Sequence, residues 1–202
     1  MLARVSSLET FRRWRNWQPL HDDDVEPTVE DLVQRLTVSE PTPAMLAGTA
    51  LHAALEVVEP GEYESFFVLD HTFHMTGGIL ALPAIREMRA YRKYGDLTVT
   101  GQVDALNGLI VIDHKTTKRF DAEGYLGGYQ WRFYLDLFGA NVFQWNVFEI
   151  KDDGEGVYRV GEPHALAAYR YPGMRSDCEE LASAYLAFAR EYLPDSDGRM
   201  AA

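Results

Sequence analysis

Apolar positions recur at two different periods along this chain, and the switches between them mark out its elements. Asn141 to Ile150 and the stretch from 156 to 161 are β-forming runs. Glu64 to Phe73 alternates and carries Phe66, Phe67, Val68 and Leu69, so it too reads as a strand. Helical spacing governs the other segments. A helix opens at Ser6 or Ser7 as N-cap and carries Arg12, Arg13, Trp14, Arg15 and Trp17; Thr28 caps another near 29–37. Pro43 stands at the first position of a third helix, which runs to Glu56 with small residues at 44, 47, 48, 50, 53 and 54, suited to close packing on a sheet. Thr76-Gly77-Gly78 reads as a turn. Pro83 to Tyr94 reads as a helix ended by Gly95, with Arg86, Arg89 and Lys93 on one face. Tyr125 to Phe138 reads as a helix ended by Gly139, and 175–193 as a closing helix with Leu181, Tyr185, Phe188 and Tyr192 inward.

Between these lies Gly101 to Thr117, two apolar runs separated by Asn107-Gly108. That dipeptide tolerates the positive φ of a type I′ turn and predicts a hairpin. With those two residues as the turn, Leu106 faces Leu109, Asp104 faces Val111 and Gln102 faces Asp113. Val111, Asp113 and Lys115 then share one sheet face with Asp104. Asp104 and Asp113 fall on a diagonal, roughly 7–8 Å apart between Cα atoms. Charged groups on an apolar hairpin require a partner, since burying them unpaired is costly. Two readings are open: an Asp113–Lys115 salt bridge at the hairpin's end, or a Mg²⁺ site held by Asp104 and Asp113 with Lys115 beside a scissile phosphate.

Composition bounds the rest. With 202 residues, 47% of them apolar and 25% charged, the chain has the makeup of a globular domain; we expect it over 1–193, with a helical part at 1–60 and a flexible tail at 194–202. The N-terminus has no apolar signal region and no stretch approaches 18 apolar residues, so a soluble cytoplasmic protein with no membrane association is expected. Cys178 is the single cysteine, which excludes an internal disulfide and a cysteine-held iron–sulfur cluster within one chain.

A net charge of −12 argues against a nucleic-acid binder held by charge alone, but the charge is uneven. Residues 21–64 are strongly acidic, with Arg35 as their only basic residue. Basic residues gather at Arg12, Arg13 and Arg15, at Arg86, Arg89, Arg92 and Lys93, and at Lys115, Lys118 and Arg119. Each group is an ordinary solvated face or, taken together, a basic track for nucleic acid made of Arg12, Arg13, Arg86, Arg89, Lys93, Lys118 and Arg119.

The order Gly48-x-x-x-His52, Gly101-x-Val103-Asp104, Ile112-Asp113-x-Lys115-Thr116, Gln130-x-x-x-Tyr134 resembles the RecB-type branch of the PD-(D/E)XK nuclease superfamily, over residues 44–150. On the residues alone His52 reads as a core histidine more readily than as a ligand; the resemblance makes it a ligand. It implies an α/β fold with a restriction-endonuclease-like mixed central sheet, built here from 64–73, 97–105, 109–116, 142–150 and 156–161 and flanked by helices. It also implies one or two Mg²⁺ or Mn²⁺ ions on His52, Asp104, Asp113 and the backbone carbonyl of His114, whose side chain would point to the opposite face. Lys115 would position the attacking water. Gln130 and Tyr134 would orient Lys115 and contact the nucleic-acid backbone. The implied activity is DNA hydrolysis, as an exonuclease of bacterial or phage recombination or repair, with a possible recombination or helicase partner. The rival from another class is a DNA-binding or scaffold protein that keeps the nuclease fold without cutting.

Overall fold

A computed structural model describes residues 1–19, 21–38, 40–57, 64–76 and 85–193, without the side chains of 56 and 57. The expected tail at 194–202 and the Gly77-Gly78 turn lie outside these residues. The described chain is α/β: a mixed sheet flanked by helices, as expected.

Its centre is β5 (Leu97–Asn107) and β6 (Ile110–Thr117), antiparallel, with β6 running parallel to β7 (Val142–Gly154). The hairpin is one residue off the expected turn. Asn107 pairs with Ile110, so Gly108 and Leu109 form the turn, and Gly108 alone of the two takes a positive φ, 57°. A single left-handed position suffices, and glycine supplies it without steric cost. Ala105 therefore pairs with Ile112, so Asp104 and Asp113 are each the next residue beyond the last pair and not on the expected diagonal.

Both edges of β5 are shared. β4 (Ile85–Tyr94) runs antiparallel along one edge, and β1 (Leu2–Arg4) pairs in parallel with Thr98 to Thr100 on the other. Of the helix expected over 83–94, residues 83 and 84 lie outside the described residues, and 85–94 are a strand. Pairing with β5 satisfies its backbone groups and seats Tyr94 in the core, which outweighs helix propensity. Its basic residues divide accordingly: Arg86 and Arg92 fall on one face, Arg89 and Lys93 on the other.

The stretch 64–73 also differs. It holds a hairpin of β2 (Ser65–Val68) and β3 (His71–Met75), turned at Leu69 and Asp70 with φ of 47° and 61°. β8 (Val157–Val160) joins β3 in parallel and β7 antiparallel, and β9 (His164–Tyr169), absent from the sequence reading, pairs with the first half of β7.

Five of the helices flank this sheet as two packing groups. α1 (Val5–Arg15), α2 (Val29–Thr37), α5 (Gln130–Phe138) and α6 (Met174–Tyr192) build the larger core around Phe133, Phe143, Trp145 and Tyr185. Thr28 caps α2 through a capping box, as expected, whereas the N-cap of α1 is Arg4 and neither serine. Tyr192 is exposed and not inward. α3 (Pro43–Val57) forms a second cluster with Phe73, Phe148, Tyr158 and Val160. It approaches β6 closely: a Cβ on Gly48 would stand 2.9 Å from Thr116 Oγ1. The expected helix 125–138 is broken into α4 (Ala122–Gly127) and α5, with Gly128 and Tyr129 between them.

Candidate functional site

The β5–β6 ladder stops at Ala105 and Ile112, and the site lies where the two strands part. There the backbone N–H of His114 is not taken by β5. It donates to Asp104 Oδ2 at 2.6 Å, and the same oxygen stands 3.7 Å from His52 Nδ1. His52 is one helical turn beyond Gly48 on α3, so the close approach that Gly48 allows carries His52 to the strand end. His52, Asp104, His114 and Arg86 line a cavity of about 10 Å³, room for one water-sized particle.

Asp113 and Lys115 alternate with His114 along β6. Asp113 is 2% exposed, and its Oδ2 lies 2.6 Å from Lys115 Nζ, yet this buried oxygen receives no aligned hydrogen bond. Burial raises the Asp113 carboxyl above the usual range, and nearby Asp104 adds to this, against the opposing pull of Lys115. Burial disfavours the Lys115 ammonium as well, but the Asp113 and Asp104 carboxylates outweigh it and hold its pKa above the ordinary lysine value. The salt bridge of the blander reading is therefore present. It leaves Asp104 and His52 unexplained.

The His114 ring turns to the α3 side, where it lines the cavity with His52 and Asp104. It stands edge-on to His52 with centroids 6.2 Å apart, near Phe148, with Asn146 Nδ2 3.5 Å from its Nδ1. Burial, aided by the neighbouring His52, pushes it down to about 4, so it is neutral at neutral pH.

Tyr134 stacks on Phe143, with Gln130 one turn earlier on α5, and it lies near enough to Asp113 and Lys115 to feel both charges. Burial and the Asp113 charge push the phenol up to about 12, so it stays a neutral hydroxyl. Its ring fills the space beside Gly101, where an added Cβ would meet Tyr134 Cε1 at 2.4 Å.

The basic residues are scattered. Arg12 and Arg13 both pair with Glu9, at 2.8 and 2.9 Å. Arg89 donates to Gln102. Lys93, Lys118 and Arg119 are exposed.

Glu9 was not singled out in the sequence, although an acid between Leu8 and Phe11 on the inner face of α1 was a signal. It is buried and accepts Tyr129 N–H at 2.7 Å besides its two arginines, tying α1 to the break before α5. Burial opposes its charge, but the Arg12, Tyr129 and Arg13 bonds prevail and hold its pKa below the ordinary glutamate value. A group lowered in this way stabilises the fold above its unfolded pKa and loses that contribution as pH falls. Glu9→Gln is expected to cost about 1–3 kcal/mol at pH 7, with the gap from wild type narrowing below about pH 4.5, in denaturant titrations across pH.

No family model and no curated protein matches the sequence. Among solved structures, the protein SSO0001 superposes over 92% of this chain and 75% of its own, with a TM-score of 0.51 and 15% identity. A Eubacterium rectale protein described as a candidate exonuclease covers 93% and 79%, with a TM-score of 0.50 and 10% identity. The chain shares their fold. A looser match, over 94% and 88% with a TM-score of 0.45 and 16% identity, is the alkaline exonuclease LHK-Exo of Laribacter hongkongensis. Among the described residues no helix is long and apolar enough to cross a membrane, and no group of three or more His, Cys, Asp or Glu side chains is placed to hold a metal ion.

Proposed function

We propose that this protein is a divalent-metal-dependent nuclease of the RecB-type PD-(D/E)XK branch that hydrolyses DNA phosphodiester bonds, as an exonuclease of recombination or repair. The observation that carries the reading is the meeting of Asp104, Asp113, Lys115 and His52 where β5 and β6 diverge. A salt bridge alone would need neither Asp104 nor His52.

In chemical type the donors suit a hard or borderline divalent ion: two carboxylates, one imidazole and the main-chain carbonyl of His114, which would have to draw together around it. Asp113 Oδ2, buried without an aligned hydrogen bond, is an acceptor with capacity to spare. His52, Asp104, Asp113 and that carbonyl would hold Mg²⁺ or Mn²⁺, which supplies Lewis-acid charge to a phosphate oxygen and to water. Lys115 keeps its proton and presents fixed positive charge where negative charge develops on the phosphate. Tyr134 and Gln130 would orient Lys115, and the neutral Tyr134 hydroxyl adds no competing charge.

The test compares end-labelled linear DNA with closed circular DNA, in Mg²⁺ and in chelator. Degradation of the linear form alone, abolished by chelator, is expected. Cutting of the circle would overturn the exonuclease assignment, and absence of any cutting in Mg²⁺ or Mn²⁺ would overturn the nuclease.

A further inference from the structure

A row of rings crosses the sheet face that carries Asp113 and Lys115. Along β6, Val111, Asp113 and Lys115 pair with Phe143, Trp145 and Val147 of β7, so those β7 residues share their face. Tyr134 stacks on Phe143 with centroids 5.8 Å apart, and Phe143 meets Trp145 at 4.6 Å. Tyr125 of α4 closes on Trp145 at 5.9 Å and stacks with Phe120 at 6.1 Å. Phe120 is in turn held by stacking on His164 at 4.6 Å and by its own N–H, which donates to Glu149 Oε1 at 2.7 Å. The row thus sets the Tyr125 ring against the β7 partner of Asp113 and fixes it between two aromatic neighbours. Asp113 and Tyr134 are buried, whereas Lys115 and Tyr125 are each half-buried. Tyr125 lies near enough to Lys115 and Asp113 to feel both charges. Burial pushes its phenol up, with Lys115 opposing and Asp113 adding to this, so the hydroxyl keeps its proton at neutral pH.

We infer that Tyr125 is a further catalytic residue of this site, its hydroxyl donating a hydrogen bond to an oxygen of the phosphate that Lys115 meets. The inference rests on the nuclease reading and adds a residue outside the four elements that carry the resemblance. Packing between Phe120 and Trp145 asks only for the ring, and phenylalanine would supply it; the hydroxyl is the part that packing leaves unexplained. The chemistry beside it selects an anion. The Asp113 carboxylate faces Lys115 from the buried side, so Lys115 and Tyr125 offer solvent an ammonium and a neutral phenol, both donors. A phosphate oxygen accepts from both. Of the weaker charges in range, Arg13 and Asp121 oppose each other, and Asp121 is bonded to Gly124 N–H as the N-cap of α4.

The test compares Tyr125→Phe and Tyr125→Leu with wild type in three measurements: turnover of linear DNA in Mg²⁺, calorimetric binding of thymidine 5′-monophosphate in Mg²⁺, and melting temperature. Tyr125→Phe is expected to lower kcat about ten- to a hundredfold, as for one lost hydrogen bond to a charged group, and to weaken monophosphate binding several-fold. Its melting temperature and Mg²⁺ affinity should stay at the wild-type values. Tyr125→Leu should be no more active than Tyr125→Phe and should melt lower. Wild-type turnover and binding in Tyr125→Phe would overturn the role of the hydroxyl, and a defect confined to Tyr125→Leu would leave Tyr125 as a packing or base-stacking ring. A protein that never cuts, yet binds the monophosphate more weakly as Tyr125→Phe, would keep the phosphate contact and sink only the nuclease. Wild type that neither cuts nor binds the monophosphate would overturn both.

Discussion

Lys115→Ala is expected to lower turnover on DNA by on the order of 10²–10³-fold while leaving divalent-metal affinity within a few-fold of wild type, as read by calorimetry. An ammonium is not a ligand, so its loss removes positive charge from the phosphate without touching the donor set. Lys115→Arg should fail as well, because a planar guanidinium does not replace a compact point charge. Asp113→Ala is the contrasting variant: it should lose both turnover and metal binding. Stability separates the two further. Without Lys115 the buried Asp113 carboxyl loses the charge that opposes burial, and its pKa rises further. A carboxyl raised in the folded state contributes stability that is present below its unfolded value, about 3.8, and is lost as pH rises. Lys115→Ala should therefore melt lower at pH 7 than at pH 5, relative to wild type, and Lys115→Ala with Asp113→Asn should remove that difference. Near wild-type turnover in Lys115→Ala would sink the role given to this residue.

The second large effect falls on a residue with no functional group. Gly101→Ala places a methyl 2.4 Å from Tyr134 Cε1 and 3.1 Å from Val5 Cγ2. Tyr134 is itself buried and stacked against Phe143, so it has little room to yield. Overpacking of this kind costs about 1–3 kcal/mol, and if Tyr134 orients Lys115 as proposed, turnover should fall with stability. Tyr134→Ala in the same chain removes the atom that clashes. A double-mutant cycle in denaturant should then show the two changes coupled by about 1 kcal/mol or more; strict additivity would mean that Gly101 and Tyr134 do not meet.

What the sequence by itself determined is local. Helices α2 and α3 were legible because Thr28 and Pro43 are start signals whose chemistry is complete within a turn. The hairpin was legible because Gly108 supplies a positive φ between two apolar runs. Alternation put Asp113 and Lys115 on one face of β6 and turned His114 to the other, since period two belongs to any strand.

Tertiary structure decided whatever depended on a partner distant in the chain. Residues 85–94 carry a pattern that fits a helix, and the paired edge of β5 makes them a strand; that pairing divided the basic residues expected on one face. The helix 125–138 broke because Glu9, 120 residues away, accepts the N–H of Tyr129. The register of β5 against β6 moved by one residue because Gly108 and Leu109, and not Asn107 and Gly108, close the turn. That shift puts Asp104 and Asp113 each one residue past the last pair, Ala105 and Ile112, and leaves the N–H of His114 to the Asp104 carboxylate. Hydrophobic periodicity specifies which face a residue takes. Which residue meets it across a gap depends on the backbone hydrogen bonds and close contacts of the whole sheet, and no short stretch of sequence contains those.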